Sequence, residues 1–433
     1  MKKCFFSLLL LFFGWHNAFA INIQQWDTQN GAKIFFLKSN DLKIVDIRLV
    51  FDAGSARDGK KLGLAKLVNT LIPTGTTSKN EDEIALAFDN QGAIFSHSSL
   101  IDMSIFSLRT LSSKEQLQAT TDILSDLLLN PSFKQEPFKR VQDTTIQGLK
   151  IAKQSPSYLA SRAFMETLYP EHPYSTNSSG TIDSVKSIIP QDLSKFHQKY
   201  FVGNNAIMVI VGDLNMLQAK SLANKVVGKL PPGKKPEKIN KVKPLDKAMV
   251  KKIEFDSQQT HILIGQPGVS RGDPDYFPLY VGNHILGGSG LVSRLSNEIR
   301  EKHGLAYSAY SYFSPMRQLG PFQMGTQTKT KSTDKALKIA RETLQDFVNN
   351  GPSEKELSDS KKNISGGFVL QIDSNSKITQ YLAMIGFYNL PLDYLDTLVN
   401  KVNQVTVEDI KTAWQKRIKP ENMATILVGK FKK

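Results

Sequence analysis

An internal duplication constrains the fold of this 433-residue chain more than any other feature. Residues 192–212 align without gaps with residues 409–429, at an offset of 217, and six of the 21 aligned positions are identical. Both blocks predict a helix, a turn and then a β-branched apolar strand that ends at glycine. The sequence therefore predicts two similar α+β domains rather than one large domain.

Further elements recur in the same order in each half. A strand is predicted near Ile44–Phe51 and again near His261–Gly265. An amphipathic helix is predicted near Lys114–Leu129 and again near Asp334–Asn349, and each is followed by a short proline turn and another helix. The shared order strengthens the case for two homologous domains.

The stretch from Leu230 to about Lys247 separates the two halves. It is basic, interrupted by prolines and has little apolar periodicity, so we expect an exposed linker. The alternative is a long surface loop within one domain, which the duplication disfavours. The predicted division is a leader at 1–20, an N-terminal domain at 21–230, a linker at 231–248 and a C-terminal domain at 249–433.

The first 20 residues predict an export signal. Two lysines follow the initial methionine, an apolar run spans residues 4–15, and Ala18-Phe19-Ala20 fits the small-x-small cleavage rule. The apolar run is short for a membrane span, so no integral span is expected after cleavage. Cys4 is the only cysteine, so the exported protein must fold without disulfides. A bacterial periplasm is the expected location.

The chain carries a formal net charge of +15. This excess of positive charge favours anionic partners such as acidic peptides, an acidic subunit or anionic lipid, although a solvated basic surface is the simpler explanation. The lysines are dispersed, and neither zinc-finger spacing nor an aromatic–basic RNA motif is present. Nucleic acid is therefore not an expected partner.

One apolar segment bounded by glycines carries the most specific pattern in the chain. Gly63–Thr76 reads G-L-A-K-L-V-N-T-L-I-P-T-G-T. On a helix, Lys66, Asn69 and Thr70 lie at i, i+3 and i+4, so their side chains share one face. The segment resembles the active-site helix of the insulinase/pitrilysin family of zinc peptidases, whose pattern runs roughly G-x-A-H-x-x-E-H-x-x-x-x-G-T.

The resemblance implies that this helix face would carry two zinc-binding histidines and a general-base glutamate in an active member. Lys66, Asn69 and Thr70 stand at those positions instead. An ammonium repels Zn²⁺, and an amide cannot act as a base. The family's third ligand, a glutamate on a later helix, falls on Gln147. The implied zinc site is degenerate, and no cofactor is expected to bind this chain.

No other arrangement of histidines replaces that site. Beyond the leader, no two histidines have the spacing of a helical or hairpin ligand pair. Each is interpreted as a packing or surface residue: His97, His172, His197, His261, His284 and His303.

A second stretch with the same resemblance lies in the C-terminal half. Residues 293–308 read S-R-L-S-N-E-I-R-E-K-H-G-L-A-Y-S. They are similar to the family segment in which an arginine and a tyrosine help to hold substrate near the zinc of the other domain. Arg300 and Tyr307 stand at those positions. Ser293–Lys302 predicts a helix and Ala306–Phe313 a strand, so both side chains can converge on one carbonyl or oxyanion.

The chain is therefore similar to the non-catalytic subunit of a two-subunit insulinase-family peptidase. The resemblance implies two homologous domains, each a mostly antiparallel β-sheet packed with α-helices, which form half of a clamshell. It also implies peptide substrates and a zinc-bearing partner subunit, to which Arg300 and Tyr307 are supplied. Two alternatives stay open, a peptide-binding or chaperone module and a structural scaffold. An active zinc metalloendopeptidase is disfavoured because its ligands are missing.

Overall fold

The computed structural model describes residues 22–431, so the predicted leader at 1–20 lies outside the described residues. The N-terminal half contains the strands β1 (Gln24–Asp27), β2 (Lys33–Lys38), β3 (Ile44–Phe51), β4 (Ile94–Ser99), β5 (Ser104–Leu111) and β6 (Ala206–Gly212). The C-terminal half contains β7 (Met249–Glu254), β8 (Gln259–Val269), β9 (Ala309–Phe313), β10 (Gly320–Lys329) and β11 (Ala424–Gly429).

The helices divide in the same way. Those of the N-terminal half are α1 (Leu64–Leu71), α2 (Glu81–Asp89), α3 (Lys114–Leu129), α4 (Gln135–Ala152), α5 (Pro156–Leu168), α6 (Ile182–Ser187), α7 (Pro190–Tyr200) and α8 (Met216–Val226). Those of the C-terminal half are α9 (Tyr276–Asn283), α10 (Arg294–Ser296), α11 (Thr333–Asn350), α12 (Glu354–Phe368), α13 (Asn375–Tyr388), α14 (Tyr394–Gln404) and α15 (Val407–Arg417). Two π-helical segments, His284–Gly288 and Asn297–Lys302, continue α9 and α10.

The two sheets share one topology. The first has the strand order β1-β2-β6-β3-β5-β4, and the second has the order β7-β11-β8-β10-β9. In each sheet one pair is parallel, β2 with β6 and β7 with β11, and the other pairs are antiparallel. The prediction of two similar α+β domains with mostly antiparallel sheets is confirmed. Among residues 22–431, no helix combines the length and apolar character needed to cross a membrane.

The duplicated blocks form the same local structure. α7 and α15 differ by the predicted offset at both ends, and β6 and β11 each end at the aligned glycine. The aligned aspartates also accept the same hydrogen bond at the start of their helices. Asp192 Oδ2 accepts the backbone N–H of Ile189 at 3.0 Å, and Asp409 Oδ2 accepts that of Thr406 at 2.9 Å. Each carboxylate stabilises the first turn of its helix.

Two helices are exchanged between the halves. α5 comes from the N-terminal half but packs on β8 and β11 of the second sheet, and α13 comes from the C-terminal half but packs on β3 and β6 of the first sheet. Each sheet is therefore covered on one face by its own helices and on the other by a helix of the opposite half. The predicted bounds 21–230 and 249–433 thus divide the chain by sequence, while the packing interlocks the two halves.

Two glycines let the exchanged helices approach the sheets closely. A Cβ on Gly386 of α13 would lie 2.4 Å from Phe35 Cε2 of β2, and a Cβ on Gly265 of β8 would lie 2.7 Å from Phe164 Cζ of α5. Both phenylalanines are buried. Because these distances are shorter than van der Waals contact, a side chain at either glycine would force the helix away from the sheet.

A buried carboxylate also joins the halves. Asp102, between β4 and β5, accepts hydrogen bonds from Tyr174 Oη at 2.8 Å, Tyr388 Oη at 3.2 Å and the backbone N–H of Arg317 at 2.9 Å. Tyr174 belongs to the N-terminal half, whereas the other two donors belong to the C-terminal half. Three donors satisfy this carboxylate, which would otherwise be costly to bury.

The segment between the halves differs from the exposed linker that we predicted. Residues 231–248 form neither helix nor strand and are largely exposed, but Ile239 and Val242 are buried in the same apolar cluster as Phe164. Gln318 Nε2 also donates to the Ile239 carbonyl at 3.2 Å. The two buried residues are three positions apart. This spacing alone does not distinguish a helix or a strand, so the sequence pattern did not indicate burial. The segment is a packed connection with two apolar anchors.

Arg294 anchors the helix that leads into the second π-helical segment. Its Nε and Nη2 donate to Glu356 Oε1 and Oε2 at 2.7 and 2.8 Å, and its Nη1 lies 3.2 Å from Asp346 Oδ2. The guanidinium also lies over the Phe347 ring, 5.1 Å from its centroid. The hydrogen bonds from Arg294 are the main reason that the pKa of Glu356 falls to about 2.

We expect Gly386→Ala to lower the free energy of unfolding by about 1–3 kcal/mol, because the new Cβ would collide with Phe35. Gly366→Ala is the matched control, since a Cβ there, in α12, would meet nothing within 4 Å. Alanine's higher helix propensity should make this control up to about 1 kcal/mol more stable than the parent. Urea unfolding followed by circular dichroism measures both variants, and equal stabilities would contradict the packing argument.

The Arg294–Glu356 pair predicts a loss of stability in acid. The pKa of Glu356 in the folded chain is below its ordinary value of 4.5, so the pair stabilises fully above that pH and progressively less as the pH falls towards 2. Glu356→Gln should therefore destabilise the protein at neutral pH, by on the order of 1 kcal/mol because the pair is partly exposed. The difference from the parent should shrink as the pH falls from about 5 to about 2.

Urea unfolding at each pH measures this difference. Glu354→Gln, which changes a carboxylate in the same helical turn, is the control and should show a smaller effect at neutral pH. A difference between parent and Glu356→Gln that stays constant with pH would contradict the assignment.

Candidate functional site

The helix with the degenerate zinc positions, α1, begins at a left-handed glycine. Gly63 has a φ of +95°, and a Cβ there would lie 2.9 Å from the Ser179 carbonyl oxygen. Asp58 accepts the backbone N–H of Gly63 at 2.6 Å and that of Ala65 at 2.7 Å, which caps the helix. Burial raises the pKa of Asp58 to about 7. These backbone contacts keep the helix in place without any metal.

Lys66 occupies the first of the former ligand positions. Its Nζ donates to Ser179 Oγ at 2.7 Å, and the side chain is about half-buried. Burial lowers the pKa of this ammonium. Its hydrogen-bond partner is thus Ser179 rather than Asn69 or Gln147, the other residues at the former ligand positions. Lys66 instead ties α1 to the loop before α6.

Asn69, at the position of the general base, is a structural cross-link. It is 1% exposed, and its Nδ2 donates to Ser104 Oγ at 2.8 Å and to the carbonyls of Ser98 at 3.1 Å and Ile105 at 3.3 Å. Its Oδ1 lies 2.8 Å from His97 Nδ1, and because an amide oxygen only accepts, this ring nitrogen carries the proton. Asn69 therefore joins α1 to β4 and β5.

His97 is the residue near this helix that we did not single out in the sequence. It was treated as an ordinary packing or surface histidine, but β4 brings it against Asn69. Burial lowers the pKa of His97, which favours the neutral ring. No motif spacing links His97 to α1, because only the pairing of β4 with β5 beside the helix brings them together.

The remaining two positions do not complete a metal site. Thr70 is half-buried on α1, and Gln147 is exposed on α4, which packs against α1. Zinc does not fit the four residues present, since an ammonium, two amides and a hydroxyl include no thiolate, imidazole or carboxylate. Across residues 22–431, no group of three or more His, Cys, Asp or Glu side chains is arranged to hold a metal ion.

Arg300 lies in the π-helical segment that continues α10. Its side chain is partly exposed, and its Nε lies 3.3 Å from Glu301 Oε1. The segment ends at Lys302, and the chain turns at Gly304, whose φ is +59°. π-Helical turns are rare and occur often at functional sites. A role for Arg300 in substrate binding stays a prediction.

Tyr307 lies before the strand rather than within it. The strand was predicted over Ala306–Phe313, but pairing with β10 begins only at Ala309, so Tyr307 stands in the preceding bend. Its side chain is 88% exposed. It borders a cavity of about 400 Å³ whose other walls include Ser157 and Ser161 of α5 and His261 of β8. The exchanged helix thus brings hydroxyl groups of the N-terminal half beside Tyr307.

Two family models match the chain. Residues 34–181 match the model described as insulinase (peptidase family M16), and residues 187–364 match the model described as peptidase M16 inactive domain. Among curated proteins, the chain is 27% identical to the non-peptidase homolog YmxG of Helicobacter pylori, and the alignment covers 100% of both chains.

Solved structures agree with these matches. The crystal structure of a peptidase M16 inactive domain from Pseudomonas fluorescens has a TM-score of 0.92 and 36% identity, covering 95% of this chain and 98% of that chain. The periplasmic protease PqqL of Escherichia coli shares the fold, with a TM-score of 0.76 and 17% identity, covering 94% of this chain and 47% of that chain. Together, the family models and the identity over nearly the whole chain show that this protein belongs to the insulinase family of peptidases, as an inactive homologue.

Proposed function

We propose that this chain is the non-catalytic subunit of a two-subunit periplasmic metallopeptidase, which contributes Arg300 and Tyr307 to the active site of a zinc-bearing partner. The exposure of Tyr307 carries the proposal. A tyrosine that is 88% exposed beside a polar cavity has a hydroxyl free to donate to a substrate carbonyl. The partner supplies the metal, the general base and the attacking water.

The match to PqqL supports a paired arrangement. It covers 47% of the PqqL chain, whose length therefore accommodates two units of this size. In such a pair, the degenerate half of this chain serves as a wall of the substrate chamber, and closure of two such units gives the clamshell. PqqL is described as a periplasmic protease, and a periplasmic location would agree with the export signal predicted for this chain.

The first sheet supports peptide as the ligand class. Within residues 22–431, β4 lies at the edge of the first sheet with β5 as its one neighbour, and most of its residues are exposed. An extended peptide can add to such an edge through main-chain hydrogen bonds. The net charge of +15 favours acidic peptides or an acidic partner.

The same edge strand supports a second candidate, a peptide-binding or chaperone module that acts without cleavage. The Helicobacter pylori relative is named a non-peptidase homolog, which agrees with either candidate. The two differ in their need for a partner. A chain that binds peptides but neither binds a zinc-bearing subunit nor supports cleavage would favour the module.

We expect the purified chain to bind less than one equivalent of zinc and to leave fluorogenic peptides uncleaved, because Lys66, Asn69, Thr70 and Gln147 cannot form a zinc site. Metal analysis after dialysis against zinc, together with a peptidase assay, measures both properties. One zinc per chain with cleavage would show that the chain is an active peptidase.

With its zinc-bearing partner, the chain should support peptide cleavage that depends on Arg300 and Tyr307. Arg300→Ala and Tyr307→Phe should each lower kcat/KM of the pair by about 100-fold, because each removes a donor to the developing oxyanion. Lys302→Ala, in the same helical turn as Arg300, is the matched control and should leave kcat/KM within about twofold of the parent. Normal cleavage by both variant pairs would exclude the shared active site.

A further inference from the structure

Arg271 lies just beyond β8 and is held between two aromatic rings. Its guanidinium carbon lies 5.7 Å from the ring centroid of Tyr276 in α9 and 5.7 Å from that of Tyr388 at the end of α13. Its backbone N–H donates to the Met316 carbonyl at 2.8 Å. Cation–π contacts with both rings favour this position of the guanidinium.

The guanidinium has no acidic partner among residues 22–431. Its Nε is buried without a hydrogen-bond acceptor. The nearest acids in sequence are already used, since Asp273 accepts from Arg417 Nη2 at 2.8 Å and Asp275 accepts from Arg417 Nε at 2.6 Å. A stacked guanidinium with free N–H groups is a ready binding site for a planar anion, above all a carboxylate.

A cavity of about 440 Å³ lies against Arg271. Its aromatic walls include Tyr276, Tyr280 and Phe313, and its polar walls include Asn363 and Gln371. No aspartate or glutamate lines it, so a bound carboxylate would meet no like charge there. A cavity of this size, lined by several aromatic rings and by a similar share of polar groups, suits a small ligand or one or two residues of a peptide.

The position of this cavity in the duplication is informative. It lies among α9, β9 and α12. These elements occur in the C-terminal half in the same order as α1, β4 and α4 in the N-terminal half. Within the second domain, it therefore takes the place that the degenerate zinc site takes in the first. The two sites share a buried asparagine, since Asn283 Nδ2 donates to the Ser311 carbonyl of β9 as Asn69 Nδ2 does to the Ser98 carbonyl of β4, but an arginine and several tyrosines line the C-terminal site alone.

We propose that the cavity beside Arg271 binds a carboxylate carried on an aromatic body, with Arg271 as the anion contact and Tyr276, Tyr280 and Phe313 as the walls around the ring. Such a group occurs at the end of a peptide with an aromatic C-terminal residue, and in a free aromatic acid. The site concerns this chain alone, so it does not depend on Arg300, Tyr307 or a zinc-bearing partner.

Isothermal titration calorimetry on the purified full chain tests the proposal with three ligands. These are acetyl-Ala-Ala-Ala-Ala-Phe with a free carboxylate, the same peptide as its C-terminal amide, and 3-phenylpropionate. The acid peptide should bind at least about tenfold more tightly than the amide, because the amide lacks the charge that Arg271 contacts. Binding of 3-phenylpropionate as tight as that of the acid peptide would identify free aromatic acids as ligands, and much weaker binding would identify peptide ends.

Substitutions at Arg271 and Gly367 locate the binding, and a substitution at Gly366 is the control. Arg271→Gln should weaken binding of the acid peptide by about tenfold or more, and Arg271→Lys should recover part of the loss. Gly367→Leu should abolish binding with Arg271 intact, because Gly367 lines the cavity and a Cβ there would meet nothing within 4 Å. Gly366→Leu is the control, since a Cβ on this neighbouring glycine is equally unhindered but lies outside the cavity lining.

The proposal fails if acid and amide peptides bind equally, if none of the three ligands binds, or if Gly366→Leu and Gly367→Leu behave alike. Because Gly367→Leu leaves the stacked arginine untouched, it remains informative even if Arg271→Gln impairs folding. None of these outcomes bears on the cleavage assay, so the two proposals can fail separately.

Discussion

The exchange of α5 and α13 is the contact on which the rest of the structure depends. A sheet with one face against its own helices still needs cover for the other face, and each half obtains that cover from the opposite half. The glycines Gly265 and Gly386 allow the close approach, and Asp102 joins the halves through three hydrogen bonds. Neither half can bury its sheet alone, so the two domains of the sequence are expected to fold as one unit.

This packing between the halves helps to explain how the chain keeps the fold of a peptidase without the zinc ligands and the general base. In an active relative, a bound metal would link α1 to a later helix. Here the polar contacts of Asp58, Lys66 and Asn69 hold α1 to its surroundings. The helix is stabilised by hydrogen bonds that need no cofactor. Tyr307, in contrast, is 88% exposed and borders a cavity.

Much of the fold could be predicted from the sequence, because helix and strand periods are local signals. The predicted bounds of Ile44–Phe51 and Lys114–Leu129 agree with β3 and α3. The errors have physical causes. The anchors Ile239 and Val242 are three positions apart. Pairing of β9 with β10 begins only at Ala309, and before it the Thr326 and Thr328 hydroxyls donate to the carbonyls of Ser308 and Leu305. His97 and Arg271 reach their sites through strand pairing and helix exchange, which no local pattern encodes.

The hydrogen bonds of Asn69 also bear on the evolutionary history of the chain. A glutamate at this position would bring a carboxylate against the carbonyl oxygens of Ser98 and Ile105, which now accept from the amide. Such a buried, unpaired charge costs several kcal/mol. A working site needs all four positions restored together, and restoring the glutamate at position 69 alone would lower stability before any activity returned. The hydrogen bonds of Asn69 therefore oppose a stepwise return of the zinc site.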